Sequence, residues 1–271
     1  MQLRLPFAPP VVPVVRLCGM IGGLPFARRG LTLRGLDRHL EAAFASAGAP
    51  AVALLVDSPG GSPVQASLIA GRIRELARRT GRPVLTFVED VAASGGYWIA
   101  CAGDEIWADS SSLIGSIGVI SAGFGFDRAI ARLGIDRRVH ARGPLKDFLD
   151  PFRPEDPAHV EVLEQIQAEL HARFLAYVRE RRGRHLALSD EELGSGRVWT
   201  GENAVRLGLI DGTGELRTVL RQRFGERVRV RFVNPPRTGL WRGLAGRATE
   251  DLAVDLLALL EERLSRARFG L

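Results

Sequence analysis

Short apolar runs alternate with amphipathic segments along most of the chain. Ala51–Val56 and Pro83–Val88 are runs of strand length, and Ser62–Arg79 between them carries apolar residues at helical spacing. A buried strand followed by a helix that packs back on the sheet is typical of parallel α/β proteins. The same pattern predicts strands at Val11–Leu17 and Asp136–Ala141. The sequence therefore predicts an α/β fold with largely parallel sheets, and with helices towards the C-terminus.

The domain organisation follows from where this alternation stops. The chain has 271 residues, 46% of them hydrophobic and 25% charged, which is enough for one substantial core. We predict one α/β domain over residues 1–236 and an amphipathic helical extension over residues 237–271. Leu252, Leu256 and Leu259 form the apolar side of that predicted helix. Such a side can dock on the core, on another subunit or on a membrane surface.

The N-terminal segment bears on cellular location. Met1–Leu24 is apolar, but prolines and arginines interrupt it, and no stretch approaches the roughly 20 apolar residues that span a bilayer. The segment also lacks the basic start and the cleavage site of a secretory signal. We therefore expect no transmembrane anchor and no signal peptide. A cytoplasmic location is predicted, and peripheral contact with the inner membrane stays open.

Charge, cysteine and histidine content narrow the possible ligands. The formal net charge is +6, with basic and acidic residues interspersed. The sequence has no recognised nucleic-acid motif and no interleaving of basic and aromatic residues, so nucleic-acid binding is not predicted. Cys18 and Cys101 lie far apart within apolar runs, which is typical of buried free thiols. The five histidines show no metal-ligand spacing, and we predict no metal and no cofactor.

One serine follows a predicted strand in an unusual setting. Ser94 lies among small residues, Ala92 and Ala93 before it and Gly95 and Gly96 after it, at the start of a short apolar segment. Glycines that allow close backbone approach, with a hydroxyl at a strand-to-helix turn, are how a fold exposes a nucleophilic serine. A serine that caps the following helix gives the same local pattern. The local sequence leaves both interpretations open.

The chain contains a single lysine, Lys146, so 36 of its 37 basic residues are arginine (37 − 1 = 36). Lysine can lose its proton in apolar surroundings and act as a base, whereas arginine stays charged. The alternative is a surface lysine that survived by chance in an arginine-rich sequence. Lys146 lies in Gly143–Pro157, which has three prolines and little periodicity, and which we interpret as an ordered loop.

Five segments, in the same order along the chain, resemble motifs of the signal peptide peptidase A family. Members of this family are serine–lysine peptidases with a crotonase-like fold related to the Clp protease. The segments are Asp-Ser-Pro-Gly-Gly at 57–61, Ala-Ser-Gly-Gly-Tyr-Trp at 93–98, Gly-Ser-Ile-Gly-Val at 115–119, Gly-Pro-Leu-Lys-Asp at 143–147, and Gly-Arg-Val-Trp-Thr-Gly at 196–201 with Leu-Ile-Asp at 209–211. Each segment alone is a weak signal, but together they cover most of the chain. The resemblance implies that residues 1–236 form a ClpP/crotonase-like peptidase domain built from repeated β-β-α units.

The resemblance also implies roles for particular residues. Ser94 matches the nucleophile, and Lys146, 52 residues later (146 − 94 = 52), matches the general base. An unactivated serine needs such a base within hydrogen-bond reach. Since a lysine amine is charged in water at neutral pH, we expect apolar surroundings to neutralise it. The apolar neighbours of Lys146 are Leu145, Phe148 and Leu149.

Four further residues have implied roles around this pair. Gly60 and Gly61 match glycines whose amides bind the oxyanion, and the amide of Gly95 is expected to help them. Ser116 matches a serine that orients the lysine amine. The implied activity is that of a serine endopeptidase with a Ser–Lys dyad, which hydrolyses hydrophobic peptides such as cleaved signal peptides. A homo-oligomer is also implied, in which Lys146 can act on Ser94 of a neighbouring subunit.

The sequence departs from the family pattern in three ways. Asp57 stands where asparagine is usual, no membrane anchor is recognised, and one catalytic unit replaces the duplicated unit of the longest members. Other function classes stay open. A crotonase-like acyl-CoA enzyme would use the same glycines without a Ser–Lys pair. A Clp-type protease would need a histidine base, for which His140 is available, and an inactive scaffold would bind membrane proteins without cleaving them.

Overall fold

The computed structural model describes residues 9–22 and 30–234, together with residues 267 and 269. It divides into two compact units. The first runs up to Ile117 and resumes at Leu175, and the second is Gly118–Phe174. The predicted extension over residues 237–271 lies outside the described residues, apart from the two single positions. The domain boundary at residue 236 therefore stays a prediction.

The secondary structure alternates between strands and helices, as the sequence predicts. The strands are β1 (Val11–Cys18), β2 (Val52–Ser58), β3 (Val84–Ala93), β4 (Glu105–Ala108), β5 (Leu113–Gly115), β6 (Val198–Thr200), β7 (Gly212–Thr213) and β8 (Arg229–Phe232). The helices are α1 (Leu33–Phe44), α2 (Pro63–Thr80), α3 (Gly95–Ala100), α4 (Asp127–Arg132), α5 (Pro157–Arg182), α6 (Asp190–Leu193), α7 (Gly201–Arg206) and α8 (Leu216–Phe224).

The eight strands form one sheet in the first unit, with β6, β5, β3, β2, β1 and β8 in that spatial order. All pairs are parallel except β5 with β6. The central strand β3 branches the sheet, because its first half pairs with β4 and its second half with β5. The prediction of an α/β fold with a largely parallel sheet is confirmed.

Helices cover both faces of this sheet, which explains why the buried parts of its central strands are largely apolar. On one face, Leu55 and Phe87 pack in a core with Leu220 of α8. Successive strand residues point to opposite faces, so Leu54 and Val56 face the other layer. There α3 contacts β2 and β3, and α2 contacts α3. With both faces buried, the carboxyl ends of β2 and β3 and the loops that follow them are held firmly.

One predicted strand is absent. Asp136–Ala141 forms neither strand nor helix. The side chains of Asp136 and Arg138 are about four-fifths exposed, at 82% and 80%. A strand needs a neighbour to pair its backbone groups, and the described structure supplies none here. The prediction of a strand at this place was wrong.

The second unit exposes much of its apolar surface. Its helix α4 has no buried residue. The rings of Phe124, Phe126 and Phe152 contact one another in series, at centroid distances of 6.2 and 5.6 Å. Phe124 is nevertheless 81% exposed and Leu133 is 74% exposed. The second unit therefore leaves several large apolar side chains in contact with solvent.

Candidate active site

Ser94 occupies a strained turn between strand β3 and helix α3. Its backbone has φ +52° and ψ −123°, a region that residues other than glycine rarely adopt. Two backbone hydrogen bonds hold it: the Ser94 amide donates to the Gly115 carbonyl at 2.8 Å, and the Trp98 amide donates to the Ser94 carbonyl at 3.0 Å. The side chain of Ser94 makes no capping hydrogen bond to the helix. The helix-cap interpretation of Ser94 was therefore wrong.

The positions around Ser94 that carry glycine have no room for a side chain. A Cβ atom on Gly60 would lie 2.8 Å from Cβ of Ser94, and one on Gly96 would lie 2.4 Å from the Ser58 carbonyl oxygen. A Cβ atom on Gly61 would lie 2.1 Å from the Ile21 carbonyl oxygen. Gly60 and Gly61 also have φ of +112° and +134°. Only glycine lets the loop after β2 approach the serine this closely.

Two backbone amides near Ser94 have no acceptor among the described residues. Ile21 and Gly61 form a parallel β-bridge, in which the Ile21 amide donates to the Gly60 carbonyl at 2.8 Å. In this arrangement the Gly61 amide points away from Ile21. The Gly95 amide begins α3 and lacks an intrahelical partner. The Gly61 nitrogen is 3.6 Å from where a Cβ on Gly95 would stand, so the two amides are neighbours. Paired free amides beside a serine are an arrangement that can bind an oxyanion.

The third predicted donor, the Gly60 amide, is already engaged. It donates to the hydroxyl oxygen of Ser58 at 3.2 Å, and this bond is buried. Gly60 therefore acts in the structure as a close neighbour of Ser94, while Gly61 and Gly95 supply the free donors.

Ser116 follows the end of β5, next to the serine turn. The register pairs Ala93 of β3 with Gly115 of β5, so Ser94 and Ser116 leave adjacent strands at the same level. Ser116 also has a positive φ of +52°, and its amide donates to the Arg197 carbonyl at 2.8 Å. Both serines are half-buried. The first unit thus brings together five of the six predicted site residues, namely Ser94, Gly60, Gly61, Gly95 and Ser116.

Lys146, the sixth predicted residue, belongs to the second unit. Its amide donates to the Gly143 carbonyl at 3.1 Å within a chain of turns over residues 144–149. Lys146 is exposed, and Leu145 beside it is 45% exposed, while Phe148 and Leu149 are half-buried. The apolar enclosure that we expected these three residues to give the amine is not present around Lys146.

A buried histidine holds the Lys146 loop. Nδ1 of His159 accepts from the Leu149 amide at 3.2 Å, and Nε2 lies 3.5 Å from the Pro144 carbonyl oxygen. These contacts fit the tautomer with the proton on Nε2. Leu149 has a positive φ of +53°, and the Phe148 ring lies 5.5 Å from the imidazole. His159 is 7% exposed, so it fastens both ends of the loop from inside the second unit.

One cluster of side chains could hold a metal ion. Donor atoms of Cys18, Asp57 and Glu89, on three adjacent strands, lie within 4.8 Å of one another. Arg16 already brings a positive charge, since its guanidinium is 3.4 Å from the Glu89 carboxylate. Burial raises the pKa of the Cys18 thiol to about 11, despite the opposing effect of Arg16. The raised pKa disfavours the thiolate that a metal ion would need, and the contact that the structure shows beside this cluster is the Arg16–Glu89 ion pair.

Sequence reasoning missed two residues of the site. Ser58 stands inside the 57–61 segment, and a serine two residues before a turn amide is a recognised signal for a hydroxyl-to-backbone bond. His159 gives no comparable signal, because it lies ten residues beyond Leu149 on a helix (159 − 149 = 10) and reaches back through tertiary packing.

Comparisons with known proteins agree with this fold and identify a family. The sequence model of peptidase family S49 matches residues 76–228. The "Serine protease SPPA, chloroplastic" of Arabidopsis thaliana is 33% identical over 78% of this chain and 32% of its own length. The solved structure of a mutant membrane-bound stomatin-specific protease with a substrate peptide has a TM-score of 0.54 at 19% identity, covering 93% of this chain and 99% of that one.

Two relatives with a higher sequence identity than these proteases are named as antiporters. The "Na(+)/H(+) antiporter NhaA" of Brucella abortus is 46% identical to this chain over 273 residues, and the match covers 96% of this chain. A protein of the same name from Brucella melitensis matches equally. The chain spans only 37% of the length of either relative.

The largely parallel sheet, the strained serine turn and its free amides define an α/β protein with a candidate nucleophilic serine. With the family match over more than half of its length, the chain belongs to peptidase family S49. Among the helices of the described residues, none has the length and apolar character to cross a bilayer.

Proposed function

We propose that this chain is a serine endopeptidase with Ser94 as nucleophile and Lys146 as general base. The observation that carries the proposal is the Ser94 turn, whose strained backbone presents a hydroxyl beside the amides of Gly61 and Gly95. Strain of this size persists only where the surrounding structure enforces it, and it concentrates at functional sites.

The chemistry follows from these groups. Ser94 Oγ attacks the peptide carbonyl while the Lys146 amine takes its proton, and the negative oxygen that forms accepts from Gly61 and Gly95. The protonated amine then gives its proton to the leaving nitrogen, which breaks the peptide bond and leaves an ester on Ser94. Water then attacks the ester carbonyl while the Lys146 amine takes its proton. The amine passes that proton to Ser94 Oγ as the ester bond breaks and the acid product is released. Ser116, beside Ser94, is the candidate to orient the amine.

The exposure of Lys146 supports a homo-oligomer as the active form. An exposed ammonium stays hydrated and charged, so a base role requires that another surface cover it. Exposed apolar side chains occur in the same unit, including Ile120 at 70% and Phe124 at 81%. We propose that subunit association covers this region and brings Lys146 of one subunit to Ser94 of a neighbour.

Hydrophobic peptides are the proposed substrates, among them remnants of cleaved signal peptides. The relatives support a membrane setting: one solved neighbour is described as membrane-bound, and the Brucella chains that carry the 46% identical segment are named as antiporters. We therefore also propose that the chain acts at the membrane surface, on segments released from membrane or exported proteins.

Mixing two inactive variants tests the dyad and its assembly together. Ser94→Ala and Lys146→Ala should each lower turnover of a hydrophobic fluorogenic peptide by several orders of magnitude, as loss of a serine-protease nucleophile does. Co-assembled, they should recover a fraction of wild-type activity, because some sites would combine an intact Ser94 with an intact Lys146. Lys146→Arg keeps the charge but cannot act as a base, so it should stay inactive.

The outcomes are distinct. Activity in Lys146→Arg would overturn the base assignment. Absence of recovery in mixed oligomers would overturn the shared site but leave the dyad. A wild-type chain that neither hydrolyses peptides nor labels at Ser94 with a fluorophosphonate would overturn the peptidase proposal.

A further inference from the structure

We infer that Ser58 is a positioning residue for the oxyanion site. This inference rests on the proposed peptidase function. Ser58 ends strand β2 and is 1% exposed. Its hydroxyl oxygen accepts a hydrogen bond from the Gly60 amide at 3.2 Å. A serine that bonds the amide two residues ahead closes a tight side-chain turn. This turn fixes the direction in which the chain leaves β2.

The direction decides which amide faces Ser94. With the Gly60 amide bound to Ser58 and the Gly60 carbonyl bound to Ile21, both polar groups of Gly60 are fixed. The next amide, that of Gly61, is then left beside Gly95 and free to donate. Without the Ser58 hydroxyl, the Gly60 amide would be buried without a partner and would compete for the same space and the same oxyanion.

Ser58 also contacts the helix that follows the nucleophile. A Cβ on Gly96 would lie 2.4 Å from the Ser58 carbonyl oxygen and 3.1 Å from Ser58 Cβ, so α3 packs directly on this residue. Ser58 therefore touches the loop that carries the Gly61 amide and the helix that carries the Gly95 amide. It sets the spacing of the two donors without itself reaching the substrate.

The test compares Ser58→Ala with the wild-type full-length chain on a hydrophobic fluorogenic peptide. We expect kcat to fall by about 10- to 100-fold, less than the full loss of an oxyanion donor, with KM changed by about twofold or less. Affinity for a peptide aldehyde, whose adduct with Ser94 places an oxyanion in the site, should fall in parallel with kcat. Binding of a non-reacting product peptide should be unchanged.

Thr86→Val is the matched control. Thr86 is fully buried, and its hydroxyl donates to the Ala100 carbonyl at 3.1 Å, at the far end of α3. Thr86→Val removes one buried hydroxyl, as Ser58→Ala does. It should therefore lower the melting temperature about as much as Ser58→Ala, while its kcat stays within about twofold of wild type. Ser58→Cys, which keeps a weak acceptor, should show an intermediate kcat and decides the question if Ser58→Ala does not fold.

Two results would overturn the inference in different ways. If Ser58→Ala, or Ser58→Cys in its place, keeps wild-type kcat and aldehyde affinity while losing thermal stability like Thr86→Val, Ser58 is structural only. If the wild-type chain itself shows neither hydrolysis nor aldehyde binding, the proposed function fails and the positioning role fails with it.

Discussion

The Ser94 turn and the Lys146 loop are built in opposite ways. The turn is flanked by the buried residues Ala93 and Gly95, its backbone is strained, and its neighbours Gly60, Gly61 and Gly96 leave no room for a Cβ. The loop is exposed, and a Cβ on its Gly143 would meet no atom within 4 Å. His159 is buried and bonds the loop from inside the second unit, and ion pairs from Arg137 and Arg153 hold Asp150 and Asp147. The nucleophile half of the proposed site is thus determined within its own unit, whereas the base half is not.

This contrast separates two kinds of requirement. The oxyanion amides must be placed within fractions of an ångström, and a packed sheet with short loops provides that precision. A lysine base must instead be desolvated before it can act, and an exposed loop allows this to depend on a further binding event. Substitutions in the two regions should therefore differ in size as well as in kind.

The largest contrast is expected between Gly61→Ala and Gly143→Ala. Gly61→Ala forces a Cβ against the Ile21 carbonyl and displaces an oxyanion donor, so kcat should fall by about 10²- to 10³-fold. Gly143 also has a positive φ of +101°, but space is open, so alanine should cost only about 1–3 kcal/mol of local strain. Steady-state kinetics and thermal unfolding of both variants measure the difference. If Gly61→Ala and Gly143→Ala lost kcat equally, the proposed difference between the Ser94 turn and the Lys146 loop would be wrong.

A smaller effect is expected when the loop is loosened. His159→Ala removes the acceptor for the Leu149 amide and the contact to Pro144, so the loop should sample more conformations and kcat/KM should fall about tenfold. His140→Ala is the control, because His140 is exposed in the same unit. It should change kcat/KM by less than about twofold. A collapse of activity in His140→Ala would instead favour a Clp-type histidine base.

The smallest contrast concerns alkaline pH. Both cysteines lie in the first unit, and burial raises the pKa of Cys18 from 9.0 to about 11. Between these values the unfolded chain loses the Cys18 proton while the folded chain keeps it, so the free energy of unfolding falls as pH rises from 9 to 11. The loss should reach about 2 kcal/mol.

Urea unfolding across this pH range measures the effect. Cys18→Ser is the control, since serine does not titrate there, and its stability should fall less steeply than that of the wild type. Parallel curves for the two chains would show that the Cys18 thiol does not contribute.

Sequence reasoning predicted the first unit well because its signals are local. Apolar runs give β2 and β3, and small residues at 92–96 mark the turn around Ser94. It could not show that the Gly60 amide bonds Ser58, since this depends on the backbone direction at the end of β2. The second unit was harder to predict. The polar segment Asp136–Ala141, predicted as a strand, has no partner in the described structure, and the apolar neighbours of Lys146 in sequence leave it exposed.

The branching of β3 has a consequence for how activity is lost on heating. Ala92 is paired with Ser58 on one side and with Ile114 on the other, so the residues just before Ser94 lie at the centre of the sheet. Amides in such a position exchange with solvent only through global unfolding. We therefore expect the strained turn to relax only when the sheet unfolds. Thermal inactivation of Ser94 towards a fluorophosphonate should coincide with the cooperative unfolding of the first unit, without an earlier phase.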